Sequence, residues 1–219
     1  MSDSLSIDPA ATLWSTGERA GMPLLVLLHG YGADERDLFG LVPYLPDGIA
    51  IAALAAPLSP PWPMPGRSWY PIDDLTSRDS AAITTAAESV LSWLEAEAKG
   101  AASIALLGFS QGAAVSLQAL RLAPERIDSV VALSGYAAPG ELPNDVLLRE
   151  TRPNVFWGRG SHDDVIPAAL IEHTAQWLPD HSDLSGRVYQ GLTHSISEDE
   201  LADVRTFVTK WRDEERTAD

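Results

Sequence analysis

The 219-residue sequence contains no cysteine, which excludes disulfide bonds, thiolate nucleophiles and cysteine-ligated metal sites. Lysine is almost as scarce, because Lys99 and Lys210 are its only occurrences. The formal net charge is −16 at pH 7, and the arginines are scattered rather than clustered. A surface of this charge repels phosphate backbones, so we expect no nucleic-acid partner.

Long hydrophobic runs are also missing. The longest strongly apolar run, Leu24–Leu28, is far too short to cross a lipid bilayer. The N-terminal segment lacks the basic and apolar regions of a signal peptide. We therefore expect a cytoplasmic protein without stable membrane insertion. The sequence has no Gly-x-Gly-x-x-Gly motif after a strand, no Walker loop and no His-Glu-x-x-His motif, so neither a cofactor nor a bound metal is expected.

The arrangement of apolar residues predicts the fold class. The length suits one domain, 1–219, with a sizeable core. Short apolar runs without polar alternation, typical of strands covered on both faces, predict strands at 23–30, 49–57, 102–108, 129–135, 154–160 and 186–191. Amphipathic segments between them predict helices at 79–100, 111–125, 165–179 and 199–215. This order predicts an α/β fold, with a mainly parallel central sheet and helices on both faces.

One serine lies between two glycines in "GFSQG", directly after an apolar run and before a predicted helix. In this context the pattern is typical of a sharp strand-to-helix turn that lifts a nucleophilic serine above the sheet. The glycines are needed because a side chain at Gly108 or Gly112 would clash in so tight a turn. Ser110 is therefore the candidate nucleophile, and the alternative is a structural serine in a glycine turn.

A serine nucleophile needs a base within hydrogen-bond reach, and the base needs a group that orients it. Among the five histidines, His194 follows the last predicted strand, at the same sheet edge as Ser110 and in a loop free to reach it. The orienting carboxylate is expected after the strand at 154–160, where Asp163 and Asp164 are adjacent. The residues alone do not separate these two, and Asp164 can instead cap the helix that follows.

The sequence resembles the phospholipase/carboxylesterase family of α/β-hydrolases, which includes the acyl-protein thioesterases. Five segments in this order carry the resemblance: "LLHGYGADERDL", "GFSQGA", "ALSGY", "GRGSHDDVIP" and "GLTHSIS". The resemblance covers roughly residues 20–212 and is stronger toward the bacterial carboxylesterase branch. It implies an α/β-hydrolase fold without a large cap domain. It assigns the nucleophile to Ser110, the acid to Asp163 and the base to His194, and the oxyanion hole to the backbone N–H groups of Tyr31 and Gln111.

The irregular stretch 57–71 is rich in proline and tryptophan. Four of its residues are candidates for the lining of an apolar acyl pocket beside the serine: Trp62, Met64, Trp69 and Tyr70. The alternative is that these side chains only pack the loop against the rest of the protein.

The expected activity is that of a serine carboxylesterase, which hydrolyses a small-molecule ester of short or medium chain length through an acyl-enzyme. The alternatives on the same scaffold are a lysophospholipase, an acyl-thioesterase, a peptidase or a lactonase. An alternative of another class is a non-catalytic ligand-binding protein. The sequence leaves open whether the chain forms a homodimer.

Overall fold

The computed structural model describes residues 5–72 and 78–217. Within these ranges the strands are β1 (Leu13–Trp14), β2 (Leu24–Leu28), β3 (Ala50–Leu54), β4 (Ile104–Phe109), β5 (Ser129–Leu133), β6 (Asn154–Gly160) and β7 (Asp183–Tyr189). They form one sheet in the order β1-β3-β2-β4-β5-β6-β7. β1 pairs antiparallel with β3, and the other neighbours pair in parallel. The predicted α/β fold with a mainly parallel sheet is thus confirmed.

Helices cover both faces of this sheet. Those in the described part of the chain are α1 (Glu35–Phe39), α2 (Ser80–Glu97), α3 (Gln111–Leu122), α4 (Asp145–Thr151), α5 (Ala168–His181) and α6 (Glu198–Thr217). Helices α2, α3, α4 and α5 pack on one face of the sheet. Helices α1 and α6 pack on the other face.

Strand β2 shows why the central strands lack polar alternation. Val26 and Leu28 belong to the core on the α2 and α3 side, whereas Leu25 and Leu27 belong to the core on the α6 side. Each of these four side chains is at most 1% exposed. Because a buried aliphatic side chain contributes about 1.5–3 kcal/mol, both faces of the strand stabilise the fold.

Several elements differ from the sequence-based expectation. β1, α1 and α4 were not predicted because they are too short to show a periodic pattern. β7 begins at Asp183 rather than at 186, and as an edge strand it is largely exposed, so its apolar signal is weak. α5 begins at Ala168 rather than at 165, because Pro167 occupies the N-cap position. The segment 161–167 therefore remains a loop.

The parallel strands determine where the loops meet. The carboxyl ends of β2, β4, β6 and β7 lie at one edge of the sheet, because these strands run in the same direction. In open α/β sheets this edge is where ligands bind. The loops that carry the candidate site residues all start from it.

Candidate active site

Ser110 occupies the turn between β4 and α3. Its backbone has φ 54° and ψ −113°, a conformation that residues with side chains rarely adopt and that costs about 1–3 kcal/mol. The Ser110 N–H donates to the Leu133 carbonyl at 2.8 Å, and the Ala114 N–H donates to the Ser110 carbonyl at 3.1 Å. The strained turn is thus held from both sides, by β5 and by the first turn of α3.

The two glycines of the motif permit the close approach that this turn requires. A Cβ atom at Gly108 would overlap the backbone of Gly112. A Cβ atom at Gly112 would overlap the Leu28 carbonyl oxygen of β2. Any side chain at either position would therefore push α3 away from the sheet and displace the serine.

His194 joins Ser110 to Asp163 through two hydrogen bonds. Its Nδ1 lies 2.8 Å from Asp163 Oδ2, and its Nε2 lies 2.9 Å from Ser110 Oγ. Because a carboxylate only accepts hydrogen bonds, Nδ1 donates to Asp163, and Nε2 accepts from the serine hydroxyl. The structure therefore brings together three side chains that sequence analysis selected from the loops after β4, β6 and β7.

The environment of Asp163 separates it from Asp164. The Asp163 side chain is 1% exposed, and its Oδ1 accepts the backbone N–H groups of Val165 at 3.0 Å and Ile166 at 3.2 Å. Asp164 is exposed and does not occupy the N-cap position of α5, which Pro167 fills without a side-chain cap bond. The alternative cap role for Asp164 is therefore wrong, and the carboxylate that the loop orients is the one beside the histidine.

The loops after β6 and β7 are bonded to each other. The Ser161 N–H donates to the Tyr189 carbonyl at 3.0 Å, and the His162 N–H donates to the Leu192 carbonyl at 2.9 Å. A Cβ atom at Gly160 would overlap the Leu192 carbonyl oxygen, so this approach requires glycine. The sequence analysis missed this role, for which the only signal is the glycine at the end of the β6 run.

A second histidine near the site, His29, is held in a structural role. Its Nδ1 donates to the Gly30 carbonyl at 2.7 Å, and its Nε2 accepts the Ala56 N–H at 3.2 Å. Burial lowers its pKa, which keeps the ring neutral. Both ring nitrogens are thus engaged in fixing the loop after β2, and neither is available as a base.

Tyr31 and Gln111, the predicted oxyanion-hole residues, both line the pocket beside Ser110. As the first residue of α3, Gln111 has a backbone N–H without an intrahelical acceptor. Its side chain has a further role that the sequence did not predict. Its Oε1 accepts the Trp69 N–H at 2.8 Å, and its Nε2 donates to the Tyr70 carbonyl at 2.6 Å. Gln111 therefore ties the proline-rich loop to the serine turn.

Of the four predicted pocket residues, Met64 and Tyr70 line the pocket. The structure corrects the prediction for Trp62 and Trp69. Trp69 is fully buried in the core, where its indole N–H donates to the His29 carbonyl at 2.8 Å. Trp62 is 93% exposed in the proline-rich turn and does not line the pocket. Nothing in the sequence indicates this difference, because both residues are tryptophans of one irregular loop.

The pocket has a volume of about 430 Å³. Its apolar side chains are those of Ala33, Met64, Ile72, Phe109, Val165 and Ile166. Its polar side chains, besides those of the serine and histidine, include two that sequence analysis did not select, Arg78 and Tyr136. The Tyr136 hydroxyl lies 2.7 Å from the Tyr70 hydroxyl. Burial raises the pKa of Tyr136 to about 12 and that of Tyr70 well above its ordinary value, so both phenols are neutral near pH 7.

Two further features concern metals and membranes. Among residues 5–72 and 78–217, no three His, Asp or Glu side chains are grouped so as to hold a metal ion. No helix in the described part of the chain combines the length and apolar character needed to cross a bilayer. The site itself has a serine hydroxyl hydrogen-bonded to an imidazole, beside a pocket with several apolar side chains.

Several known proteins resemble this chain in sequence or in fold. The model of the phospholipase/carboxylesterase family matches residues 15–212. Acyl-protein thioesterase 1 of Saccharomyces cerevisiae is 36% identical over 107 residues, which are 47% of this chain and 47% of that protein, so this match spans about half of each. Esterase YpfH of Escherichia coli is 29% identical over 190 residues, which are 82% of this chain and 78% of that protein. The crystal structure of esterase PE8 has a TM-score of 0.72 and 27% identity, and the match covers 94% of this chain and 99% of that chain.

Proposed function

Because the chain belongs to the phospholipase/carboxylesterase family of α/β-hydrolases, we propose that it is a serine hydrolase of carboxylic esters. The observation that carries this proposal is the hydrogen-bonded row of Ser110, His194 and Asp163, with separations of 2.9 and 2.8 Å. These distances are those at which a base takes a proton from a serine hydroxyl. The names of the relatives, esterases and thioesterases, point to the same acyl chemistry.

In the first half-reaction, Ser110 Oγ attacks the ester carbonyl while His194 Nε2 takes the hydroxyl proton. The carbonyl oxygen becomes an oxyanion in the tetrahedral intermediate. The imidazolium then gives its proton to the leaving alkoxide, the C–O bond breaks, and an alcohol departs. The acyl group remains on Ser110 as an ester.

In the second half-reaction, a water molecule takes the place of the alcohol. His194 Nε2 accepts a proton from this water as its oxygen attacks the acyl-enzyme. The intermediate collapses, Ser110 recovers its proton from the imidazolium, and a carboxylic acid leaves. The chain thus returns to its starting state, with one ester and one water converted to one acid and one alcohol.

Two groups stabilise the charges that these steps create. Asp163 holds the His194 Nδ1–H and thereby fixes the tautomer that accepts the serine proton; its negative charge stabilises the imidazolium. We assign the oxyanion hole to the backbone N–H groups of Gln111 and Tyr31, two residues that line the pocket beside Ser110. One such donor contributes about 3–4 kcal/mol to transition-state stabilisation.

The substrate is an ester of short or medium chain length. A pocket of about 430 Å³ is in the size range of small-molecule sites, about 300–1,000 Å³. The net charge of −16 disfavours binding to anionic membrane surfaces. Both observations favour small-molecule esters over lysophospholipids presented by a bilayer.

Thioester hydrolysis is the second candidate activity, and one observation favours it. The yeast relative that is 36% identical over about half of each chain is named an acyl-protein thioesterase. The same serine, histidine and oxyanion donors serve a thioester, since only the leaving atom changes from oxygen to sulfur.

Hydrolysis of p-nitrophenyl acetate, butyrate and decanoate by the wild type and by Ser110→Ala tests the proposal. The wild type should release nitrophenolate with the highest kcat/KM on acetate or butyrate, and Ser110→Ala should lose at least about 10³-fold. Equal rates for the two proteins would contradict a serine mechanism. A preference for decanoate would contradict the preference for short chains and would leave the serine mechanism standing.

Thioester hydrolysis is tested by comparing S-(p-nitrophenyl) thiobutyrate with p-nitrophenyl butyrate. Because the two substrates share the acyl group, the ratio of their kcat/KM values, corrected for their spontaneous rates, reports leaving-atom preference. A ratio near one is expected for an esterase with an unspecialised leaving-group site. A strong preference for the sulfur compound would assign the chain to thioesterases.

A further inference from the structure

We propose that Phe109, which directly precedes the nucleophile in "GFSQG", is a positioning residue for hydrolysis of the acyl-enzyme. Its ring contacts the imidazole of His194 and keeps Nε2 aimed at the attacking water once the hydrogen bond to Ser110 is lost. This inference rests on the proposed esterase function and assigns a role to a side chain outside the row of serine, histidine and aspartate.

The first argument is the contact between the two rings. The ring centroids of Phe109 and His194 are 4.9 Å apart, with 45° between the ring planes. Tilted aromatic pairs at this separation are favourable contacts. Among the residues that the structure describes, Phe109 is the aromatic side chain that pairs with this histidine.

The second argument is that the Phe109 ring is itself held in place. Phe109 is the last residue of β4, and its half-buried side chain packs with the core on the α1 and α6 side. A Cβ atom at Gly30 would lie only 3.0 Å from Phe109 Cδ1, so the backbone of the loop after β2 lies against the ring. A side chain fixed by a strand, a core and a loop can restrain the group that it contacts.

The third argument concerns what the hydrogen bonds of His194 leave unrestrained. In the free enzyme Nδ1 donates to Asp163 at 2.8 Å, and Nε2 accepts from Ser110 at 2.9 Å. The N–H group and the lone pair of an imidazole both lie in the plane of its ring. The two bonds therefore fix the ends of the ring, and rotation about the line that joins them is limited by neighbouring side chains. Phe109 is such a neighbour.

The acyl-enzyme has one of these hydrogen bonds fewer. Ser110 Oγ carries the acyl group and has no proton to donate, so Nε2 loses its partner. Nε2 must then accept a proton from water while the water oxygen attacks the acyl carbon; the bond from that carbon to Oγ breaks, and Oγ takes the proton from the imidazolium. During this half-reaction the imidazole is held by Asp163 and by packing, so the Phe109 ring matters most here.

Steady-state kinetics with p-nitrophenyl butyrate separate the two half-reactions. The value of kcat/KM reports acylation, which ends when nitrophenolate leaves, whereas kcat includes deacylation. In Phe109→Leu we expect kcat to fall about 10- to 100-fold, as for a catalytic group displaced by about 1 Å. The value of kcat/KM should change little, so KM falls together with kcat. A burst of nitrophenolate equal to the enzyme concentration should precede the steady state, because the acyl-enzyme accumulates.

Two further variants are controls. Phe109→Tyr keeps the ring and should keep most of kcat. Phe207→Leu removes another half-buried ring that packs with the same core, 5.7 Å from the ring of Phe156, and that does not line the pocket. This variant should leave both kcat and kcat/KM unchanged.

Two results in Phe109→Leu would overturn the inference and leave the esterase function standing. One is an equal fall of kcat and kcat/KM, which indicates a general disturbance of the site. The other is an unchanged kcat. If the wild type releases no nitrophenolate, the esterase function fails instead, and a measurement without turnover decides on the role of Phe109.

That measurement uses Ser110→Ala, which lacks the hydroxyl and leaves His194 with the hydrogen bond that remains in the acyl-enzyme. NMR relaxation of the His194 Cε1–H group should give an order parameter close to that of the wild type. Addition of Phe109→Leu should lower the order parameter, whereas addition of Phe207→Leu should not. An imidazole that is equally rigid with and without the Phe109 ring would overturn the inference.

Discussion

Two buried carboxyl groups flank strand β6, and they differ in the hydrogen-bond donors around them. Asp163 lies three residues after the strand, with a side chain that is 1% exposed and that accepts hydrogen bonds from His194, Val165 and Ile166. Glu200 lies in the first turn of α6 and is fully buried against Gly158 of the same strand. Within residues 5–72 and 78–217, no donor makes a hydrogen bond of normal geometry to either oxygen of Glu200.

The difference lies in the donors that the local backbone supplies. The loop before α5 aims two N–H groups at Asp163, and His194 Nδ1 adds a third donor, so three hydrogen bonds fix the orientation of this side chain. At Glu200, burial, with a smaller contribution from the nearby Asp203, raises the pKa to about 7 against the lowering effect of the Ser197 backbone N–H. Burial without well-placed donors thus favours the protonated form of a carboxyl group, whereas donors aimed by the backbone hold the Asp163 side chain in a fixed orientation beside the histidine.

The largest expected effect is at the partnered carboxylate. Asp163→Asn should lower kcat for p-nitrophenyl butyrate about 10⁴-fold, because an amide does not hold the His194 tautomer that accepts the serine proton. The asparagine keeps an oxygen for the N–H groups of Val165 and Ile166, so the melting temperature should change little. Steady-state kinetics and thermal unfolding of the purified variant measure both quantities.

Asp164→Asn is the control for this variant, since it makes the same change at the exposed neighbour. It should retain wild-type kcat. If Asp164→Asn is the inactive variant and Asp163→Asn remains active, the assignment of the orienting acid is wrong.

A smaller effect is expected at Glu200, and it concerns the free energy of unfolding. The ordinary pKa of 4.5 applies to the unfolded chain, and about 7 applies to the folded one. The folded state therefore binds the proton more tightly, so the contribution of Glu200 to stability is fully present below pH 4.5 and is lost as the pH rises through about 7. Between pH 5 and pH 8 this amounts to about 2–3 kcal/mol.

Glu200→Gln lacks this titration, so its loss of unfolding free energy from pH 5 to pH 8 should be smaller than that of the wild type by this amount. Urea unfolding at the two pH values measures it. Glu198→Gln, an exposed position in the same helical turn, should behave as the wild type does. The same pH dependence in Glu200→Gln as in the wild type would show that Glu200 is not held as a neutral acid.

Much of the fold could be predicted, because burial and amphipathicity produce recognisable patterns in the sequence. The central strands are apolar runs because both of their faces are covered, and the long helices show amphipathic periodicity. The short elements β1, α1 and α4 and the exposed edge strand β7 carry no such signal. Arginine is usually a surface residue, yet Arg121 is 1% exposed and forms a salt bridge with Asp145.

The candidate site divides in the same way. The sequence predicted Ser110 and His194 because a glycine-bounded turn and a strand-end loop have recognisable positions. The residues alone did not separate Asp163 from Asp164, which only the family resemblance did, because the difference is made by backbone N–H groups that the folded loop aims. Tyr136 has no motif around it, and its place in the pocket wall depends on the hydrogen bond between its hydroxyl and that of Tyr70, which is 66 positions away in the sequence.

The central claim is that His194 activates Ser110, and covalent labelling with a fluorophosphonate tests it most directly. Intact-mass and peptide mass spectrometry should find one adduct, on Ser110 of the wild type, no adduct in Ser110→Ala, and strongly slowed labelling in His194→Ala. An adduct on another residue, or equal labelling rates for the wild type and His194→Ala, would contradict the account.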